Sequence, residues 1–254
     1  MQVNLRKTLA ASGITAAFLF VAVPGAEATL ILAAQANGTE ICAVDNNAFA
    51  CTFGTVVLDQ DPTLGKLALG DAVTPIDVGG LLVLGSVHTS TVGPPLNILN
   101  SSSLNVSNPT GAPITANVAV GDTDYFPPVN VAFASGSGTW ENADGSQITL
   151  EWWNDPSNEQ GAEDPFDRPG NLIFTCSDTA VGPADAFACA SGPLGVNDPN
   201  PFSMTVAFDF TLEPGGELIN RGMTEIKPVP EPALLSLFGL GACAAASRLR
   251  RRRA

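Results

Sequence analysis

Five carboxylates within one polar loop are the residues whose type and spacing best fit a chemical role. The loop, residues 154–170, also contains three prolines. Oxygen ligands clustered on a loop can hold calcium at roughly 2.3 to 2.6 Å. An EF-hand is excluded, because the sixth position counted from Asp155 is Gln160 instead of glycine. The pattern leaves two alternatives, a calcium site or a solvated acidic loop, for these side chains: Asp155, Glu159, Glu163, Asp164 and Asp167.

Catalytic motifs are weak throughout the chain. A Ser-His-Asp triad would have to use His88, the single histidine, whose surroundings VLGSVHTSTVG contain no catalytic pattern. Ser135 lies in ASGSG, which lacks the G-x-S-x-G spacing, so we expect a strand end or turn there. Carboxylate pairs could serve a glycosidase, but none lies in a sharp motif. We expect a non-enzymatic protein with no cofactor apart from the candidate Ca²⁺.

Two adjacent tryptophans, Trp152 and Trp153, end an alternating stretch that begins at Gln147. Successive side chains of a strand point to opposite faces of the sheet. One ring is therefore expected in the core. The other can pack against the surface or stack on a sugar ring, which keeps a carbohydrate-binding or glycan-active protein as the alternative function.

The elements that must position these residues are strands. Residues 202–212, FSMTVAFDFTL, alternate apolar and polar side chains over eleven positions. Asp144-Gly145 predicts a hairpin turn between neighbouring strands. Together with dense Gly, Pro, Asn, Asp and Ser punctuation, this predicts one all-β domain, an antiparallel β-sandwich over residues 29–220, with a weakly periodic region at 38–80. Further strands are predicted at 81–88, 96–106, 114–120, 129–133 and 147–153.

The body of the chain is strongly acidic. Between Thr29 and Lys227 there are four basic and 23 acidic residues, so the net charge is 4 − 23 = −19. Such a surface repels nucleic acid and anionic lipid, and neither is expected as a partner.

Four of the five cysteines lie in this body, and Cys243 lies in the C-terminal apolar stretch. An even number in an exported chain indicates disulfides, with free or mixed thiols as the alternative. A zinc site is disfavoured because there is no C-x-x-C spacing. Of the three possible pairings we expect the local ones, Cys42 with Cys51 and Cys176 with Cys189, each worth about 3 kcal/mol in the chain-entropy model.

The N-terminus has the pattern of a signal peptide. Arg6 and Lys7 precede an apolar stretch at 9–23, and Ala26 and Ala28 form the small-x-small pattern at which signal peptidase cuts. We expect residues 1–28 to be removed, with an uncleaved anchor helix as the alternative.

The C-terminus combines three parts in order. Residues 221–232 are predicted to be a linker that ends in Val229-Pro230-Glu231-Pro232. Residues 233–247 follow without a charge and are predicted to be a short transmembrane helix of about 22 Å, against a hydrocarbon core of ~30 Å. The basic end, residues 248–254, should stay cytoplasmic.

This order resembles the PEP-CTERM sorting signal over about 26 residues. The resemblance implies recognition of Val229, Pro230, Glu231 and Pro232 by an exosortase-like processing enzyme in outer-membrane bacteria that make exopolysaccharide. It also implies a membrane-anchored precursor that is released to the cell surface or extracellular matrix, with a structural or adhesive role and exopolysaccharide as a candidate partner. A plain tail-anchored protein with a proline hinge is the alternative.

Overall fold

Two β-sheets packed face to face form the body of the protein. The computed structural model describes residues 29–47, 51, 53–93 and 96–227. Helical structure in this part is limited to one 3-10 turn, Asp45–Asn47. All strand pairs are antiparallel except one short parallel pair at an edge. The predicted antiparallel β-sandwich is confirmed.

The strands of each sheet come from many parts of the chain. The first sheet contains β1 (Ile31–Ala36), β2 (Thr39–Val44), β3 (Thr55–Val56), β8 (Ile114–Tyr125), β10 (Gln147–Asp155), β11 (Asn171–Thr179) and β14 (Phe202–Leu212), in the order β11-β10-β14-β8-β1-β2-β3. The second contains β4 (Lys66–Leu69), β5 (Ile76–Val78), β6 (Leu81–Thr91), β7 (Asn97–Ser107), β9 (Val129–Glu141), β12 (Ala184–Ala190), β13 (Leu194–Asp198) and β15 (Glu217–Lys227). Its main path is β12-β9-β15-β7-β6-β4, with β13 on β9 and β5 on β6.

Alternating side chains fill the space between the sheets. Strand β14 occupies the predicted range, and its Val206, Phe208 and Phe210 are buried in the core. The largest fully buried side chains include Trp140 of the second sheet and Trp152 of the first. Burial of side chains this large is the main favourable contribution to folding.

Both predicted disulfides are present. Cys42–Cys51 has a Cα–Cα distance of 6.1 Å, and Cys42 packs with Ile31 and Val44 in a small apolar cluster on the outer side of the first sheet. Cys176–Cys189 has a Cα–Cα distance of 6.4 Å. It joins edge strand β11 of the first sheet to edge strand β12 of the second, so it fastens the two layers together.

The hairpin predicted around Asp144-Gly145 is wrong. The two residues do form a turn, but β9 before it belongs to the second sheet and β10 after it belongs to the first. Trp140 and Ile148 consequently both point into the core. The predicted turn is therefore present. The sequence of the turn does not determine whether the following strand pairs with β9 or crosses to the facing sheet.

Two further boundaries differ from the prediction. The ASGSG stretch, expected to be a strand end or turn, lies inside β9. Strand β15 continues to Lys227, so residues 221–227 belong to the sheet and not to the predicted linker. The inward-facing positions of β15 include Asn220, Gly222 and Thr224. Because these residues are small or polar, the strand lacks the alternation of apolar and polar side chains that would have predicted it.

Candidate functional site

The two tryptophans point to opposite faces of the first sheet, as predicted. Trp152 is fully buried and packs on Phe174 with ring centroids 5.2 Å apart. Trp153 is partly exposed on the outer face, where its indole N–H donates to a Glu151 carboxylate oxygen at 3.2 Å. The outer face therefore presents an aromatic ring beside a carboxylate.

Arg168 links the acidic loop to this outer face. Its guanidinium donates to Glu151 on β10 at 2.6 Å and to both carboxylate oxygens of Asp209 on β14, at 2.8 and 2.5 Å. Asn117 on β8 donates to Asp209 at 2.8 Å. These groups use their charges and hydrogen-bonding atoms on one another across three strands. The cluster therefore holds the loop against the sheet and is not a set of free ligand-binding groups.

Most carboxylates of the loop accept hydrogen bonds from the loop's own backbone. Asp155 accepts from the amides of Ser157 and Glu159, and Asp164 accepts from the amide of Phe166 at 2.7 Å. Asp167 accepts from the amide of Glu163 at 3.1 Å. Carboxylates engaged in this way shape the loop.

The five predicted calcium ligands do not all meet. Burial raises the pKa of Asp167; the hydrogen bond from the Glu163 amide lowers it, and the charges of Asp164, Glu163 and Glu159 raise it, so these three carboxylates lie near Asp167. Asp155 instead lies near Asp198 and raises the pKa of that carboxyl after the larger effect of burial. Within the described residues, no three His, Cys, Asp or Glu side chains are arranged to hold a metal ion. Calcium binding by the loop stays a prediction.

His88 is completely buried within β6, not at a strand end as its sequence context indicated. Its Nε2 atom contacts the Ser86 hydroxyl, and its Nδ1 atom has no hydrogen-bond partner. Burial lowers the pKa of the imidazole to about 3, so the ring is neutral at pH 7. The residue is placed to fill the core, out of reach of a substrate in solvent.

A groove on the outer face of the second sheet was not predicted. It consists of two adjoining open depressions over strands β12, β9 and β15. Both depressions are lined by Ser137 and Arg221, which face each other across β9 and β15. We call this surface the Arg221 groove; it is further lined by Asn100, Ser135, Thr139, Ala186, Ala188, Ile219 and Met223.

Small residues on both faces of β9 produce the groove. On the inner face, Gly136 and Gly138 leave room for Trp152 and Phe187 to approach the backbone. On the outer face the side chains are short, so the surface over these strands is concave; they are Ser135, Ser137 and the alanines of β12. The stretch SGSGT was therefore the sequence signal for the groove. It was missed because alternating Gly and Ser residues are typical of a flexible turn.

Arg221 differs from the other basic residues of the described part in having no ion-pair partner. The described residues include four basic side chains, and three of them are ion-paired: Lys66 with Asp61, Lys227 with Glu225, and Arg168 with Asp209 and Glu151. Arg221 forms no ion pair with any described residue, although the body carries 23 carboxylates. Its guanidinium is exposed beside the hydroxyl and amide groups of the groove.

The remaining predicted sites lie outside the described residues. These are the signal cleavage pattern, Ala26 and Ala28, and the sorting motif, Val229, Pro230, Glu231 and Pro232. No helix in residues 29–227, as far as they are described, is long and apolar enough to cross a membrane. The predicted transmembrane segment 233–247 is not among them.

Comparison with known proteins gives general likenesses of fold. No protein-family model and no curated protein matches the chain. Among solved structures, the module TmCBM61 in complex with β-1,4-galactotriose has 10% identity and a TM-score of 0.34, covering 64% of this chain and 88% of its own. The mannan-recognising module TmCBM27 has 12% identity and a TM-score of 0.27, covering 65% and 99%. The bacteriophage CBA120 tailspike protein 4 domain has 15% identity and a TM-score of 0.29, covering 66% and 22%. At these values the comparisons carry no argument about a ligand or an activity.

Proposed function

We propose that this chain is an exported, non-enzymatic protein of the cell surface or extracellular matrix that adheres to a carbohydrate polymer through the Arg221 groove. The observation that carries the proposal is the groove itself. It runs along β9 for the distance from Ser135 to Thr139, about 13 Å at the usual rise per residue. A surface of that length can contact several units of a polymer at once.

The chemistry of the groove fits sugars better than apolar ligands. Ser135, Ser137 and Thr139 present hydroxyls, and Asn100 presents an amide. Neutral donors and acceptors of this kind can exchange hydrogen bonds with sugar hydroxyls. Ile219 and Met223 add apolar contact area at the groove wall, as binding sites require beside their polar groups.

Export is supported by the two disulfides. Such bonds form and persist in oxidising compartments outside the cytoplasm. The proposed route to the surface uses signal peptidase at residues 1–28 and a PEP-CTERM-like sorting signal read by an exosortase-like enzyme, as the sequence resemblance implies. The membrane-anchored precursor would be released by cutting the tail.

The binding proposal is tested by affinity electrophoresis of residues 29–227 in gels that contain single soluble polysaccharides. The set should include galactomannan, hydroxyethylcellulose, alginate and hyaluronan. At least one polymer should retard the protein, and Ser137→Tyr should abolish retardation because the new ring fills the groove floor. Thr115→Tyr, on the exposed outer face of the first sheet, is the matched control and should leave retardation unchanged. Unretarded migration in all four gels, or equal loss in both variants, contradicts the proposed function.

A further inference from the structure

We propose that Arg221 binds a carboxylate of the carbohydrate, so that the groove selects acidic polysaccharide in which charged units are separated by neutral ones. This inference rests on the proposed function and adds the chemical class of the ligand. It begins from the charge pattern of the described residues, where each of the other three basic side chains has a carboxylate partner and Arg221 has none.

The guanidinium has the geometry that carboxylate recognition needs. It is a planar fork of N–H donors that cannot deprotonate and that matches the two oxygens of a carboxylate. Because Arg221 is exposed and borders both depressions of the groove, a polymer that occupies both depressions lies beside it. The neighbouring Ser137 hydroxyl, on the facing position of β9, can hydrogen-bond to the same sugar unit.

One end of the groove carries the opposite charge. Glu217 lies four residues before Arg221 on the same side of β15, about 13 Å away at the usual strand rise, whereas Glu225, four residues after Arg221, is ion-paired with Lys227. Glu217 faces Glu141 across the strand pair. A polymer with a carboxylate on every sugar would place negative charge beside these glutamates, and like charges in proximity are unfavourable. Carboxylates spaced apart by neutral sugars lessen this repulsion and the repulsion from the body's net charge of −19, which is why we infer alternating acidic and neutral units.

An acidic peptide fits the groove less well than a sugar. Extended peptides usually bind by adding a strand to a free sheet edge. The floor strand β9 pairs with β15 on one side and with β12 and β13 on the other, so its backbone is already engaged. Recognition must therefore come from side chains, and the polar ones present are hydroxyls, one amide and one guanidinium.

The probe is a hyaluronan tetrasaccharide, in which glucuronate alternates with a neutral sugar, compared with its carboxyl methyl ester. Isothermal titration of residues 29–227 should give at least tenfold tighter binding of the acid than of the ester. Arg221→Gln should reduce that difference to less than about twofold, because the acid and the ester then meet the same neutral side chain. Arg221→Lys should restore part of the difference, because an ammonium keeps the charge but loses the bidentate geometry.

The outcomes separate the inference from the proposed function. Equal binding of acid and ester, both lost in Ser137→Tyr, overturns the carboxylate inference and leaves the carbohydrate function standing. Absence of binding by either probe, together with unretarded migration in all the polysaccharide gels, overturns both. Fully charged oligogalacturonate binding as tightly as hyaluronan contradicts the spacing argument. A hexaglutamate peptide that binds as tightly as the tetrasaccharide contradicts the assignment to sugar.

Discussion

Gly136 on β9 lies directly beneath the indole of Trp152 on the facing sheet. A Cβ atom built on Gly136 would lie 3.0 Å from Cη2 of Trp152 and 2.7 Å from a terminal methyl of Leu150. Both of those side chains are fully buried. The glycine thus sets the separation of the two sheets at this point, directly behind the floor of the Arg221 groove.

Gly136→Ala should therefore destabilise the fold. The leucine methyl can rotate, but the indole is confined by the core, and overpacking of this kind costs about 1–3 kcal/mol. The free energy of unfolding in urea measures the effect. Gly192→Ala is the matched control, since no atom lies within 4 Å of a Cβ built there, and it should change stability by under about 1 kcal/mol. Equal effects of the two substitutions would contradict the close-approach argument.

Arg168→Met should loosen the acidic loop without unfolding the sandwich. The substitution leaves Glu151 and Asp209 close together without their cation, in positions where the three side chains are 13% to 30% exposed. Removing one member of a partly buried ion pair costs more than the ~1 kcal/mol of an exposed pair. Limited proteolysis should cut within residues 156–170 faster than in the parent protein. Lys66→Met, which breaks a more exposed pair with Asp61, should leave the cleavage rate of this loop unchanged.

The fold class and the disulfide pairing could be predicted from the sequence because both depend on local patterns. Alternation in residues 202–212 gives a strand directly, and short separations favour the pairings Cys42–Cys51 and Cys176–Cys189. The crossing from β9 to β10 could not be predicted, since it depends on which sheet receives Ile148 and not on the turn residues.

The candidate site was harder to predict because its residues are scattered. Asn100, Ser137 and Arg221 come from three distant segments that only the strand order brings together. The one local signal is the alternation of Gly and Ser in β9. In a turn such a sequence indicates flexibility, whereas within a strand the glycines mark places where other groups approach the backbone closely. The acidic loop gave a stronger sequence signal, yet its carboxylates largely serve its own backbone.

Loss of the Cys176–Cys189 disulfide should destabilise the sandwich. That bond links the two sheets across 13 residues of sequence, and a loop of this size is worth about 3 kcal/mol in the chain-entropy model. Replacing both cysteines by serine should lower the melting temperature by several degrees, as measured by circular dichroism. The same replacement at Cys42 and Cys51 is the comparison. A cross-link between the two pairs in non-reducing peptide maps would contradict the connectivity.

Two buried groups should give the stability of the fold opposing dependences on pH. Burial raises the pKa of Asp122 to about 7, above its ordinary value of 3.8, so its contribution to stability is lost as pH rises from about 4 to 7. Burial lowers the pKa of His88 to about 3 from 6.5, so its contribution is lost as pH falls from about 6.5 to 3. Between pH 4 and 6.5 the two slopes oppose each other.

Single variants should separate these slopes. Relative to the parent protein, Asp122→Asn should become more stable as pH rises from 4 to 8, by up to about 4 kcal/mol, because three pKa units correspond to that free energy. His88→Gln should become relatively more stable as pH falls from 7 to 4. Urea unfolding at pH 4, 5.5, 7 and 8 measures both trends. A stability difference between Asp122→Asn and the parent that is independent of pH would contradict the raised pKa.

The C-terminal tail should be removed in the native host. Its apolar segment, Ala233 to Ser247, would span about 22 Å as a helix, which is short for a permanent anchor in a hydrocarbon core of ~30 Å. The basic residues behind it favour retention on the cytoplasmic side. Proline in general biases the residue before it towards extended conformations, so the Pro-Glu-Pro sequence leads us to expect a form that a processing enzyme can bind.

Mass spectrometry of surface material should accordingly find mature chains that end between Pro230 and Ala233. Glu231→Ala, or deletion of Arg250 to Arg253, should leave an unprocessed form in the membrane fraction, because the first removes the charge between the prolines and the second removes the signal that halts export. Arg221→Gln is the control, since it alters a basic residue of the sheet and should not affect processing. Recovery of the intact RLRRRRA end from most surface molecules would show that the tail is a plain anchor and that the resemblance to a sorting signal misleads.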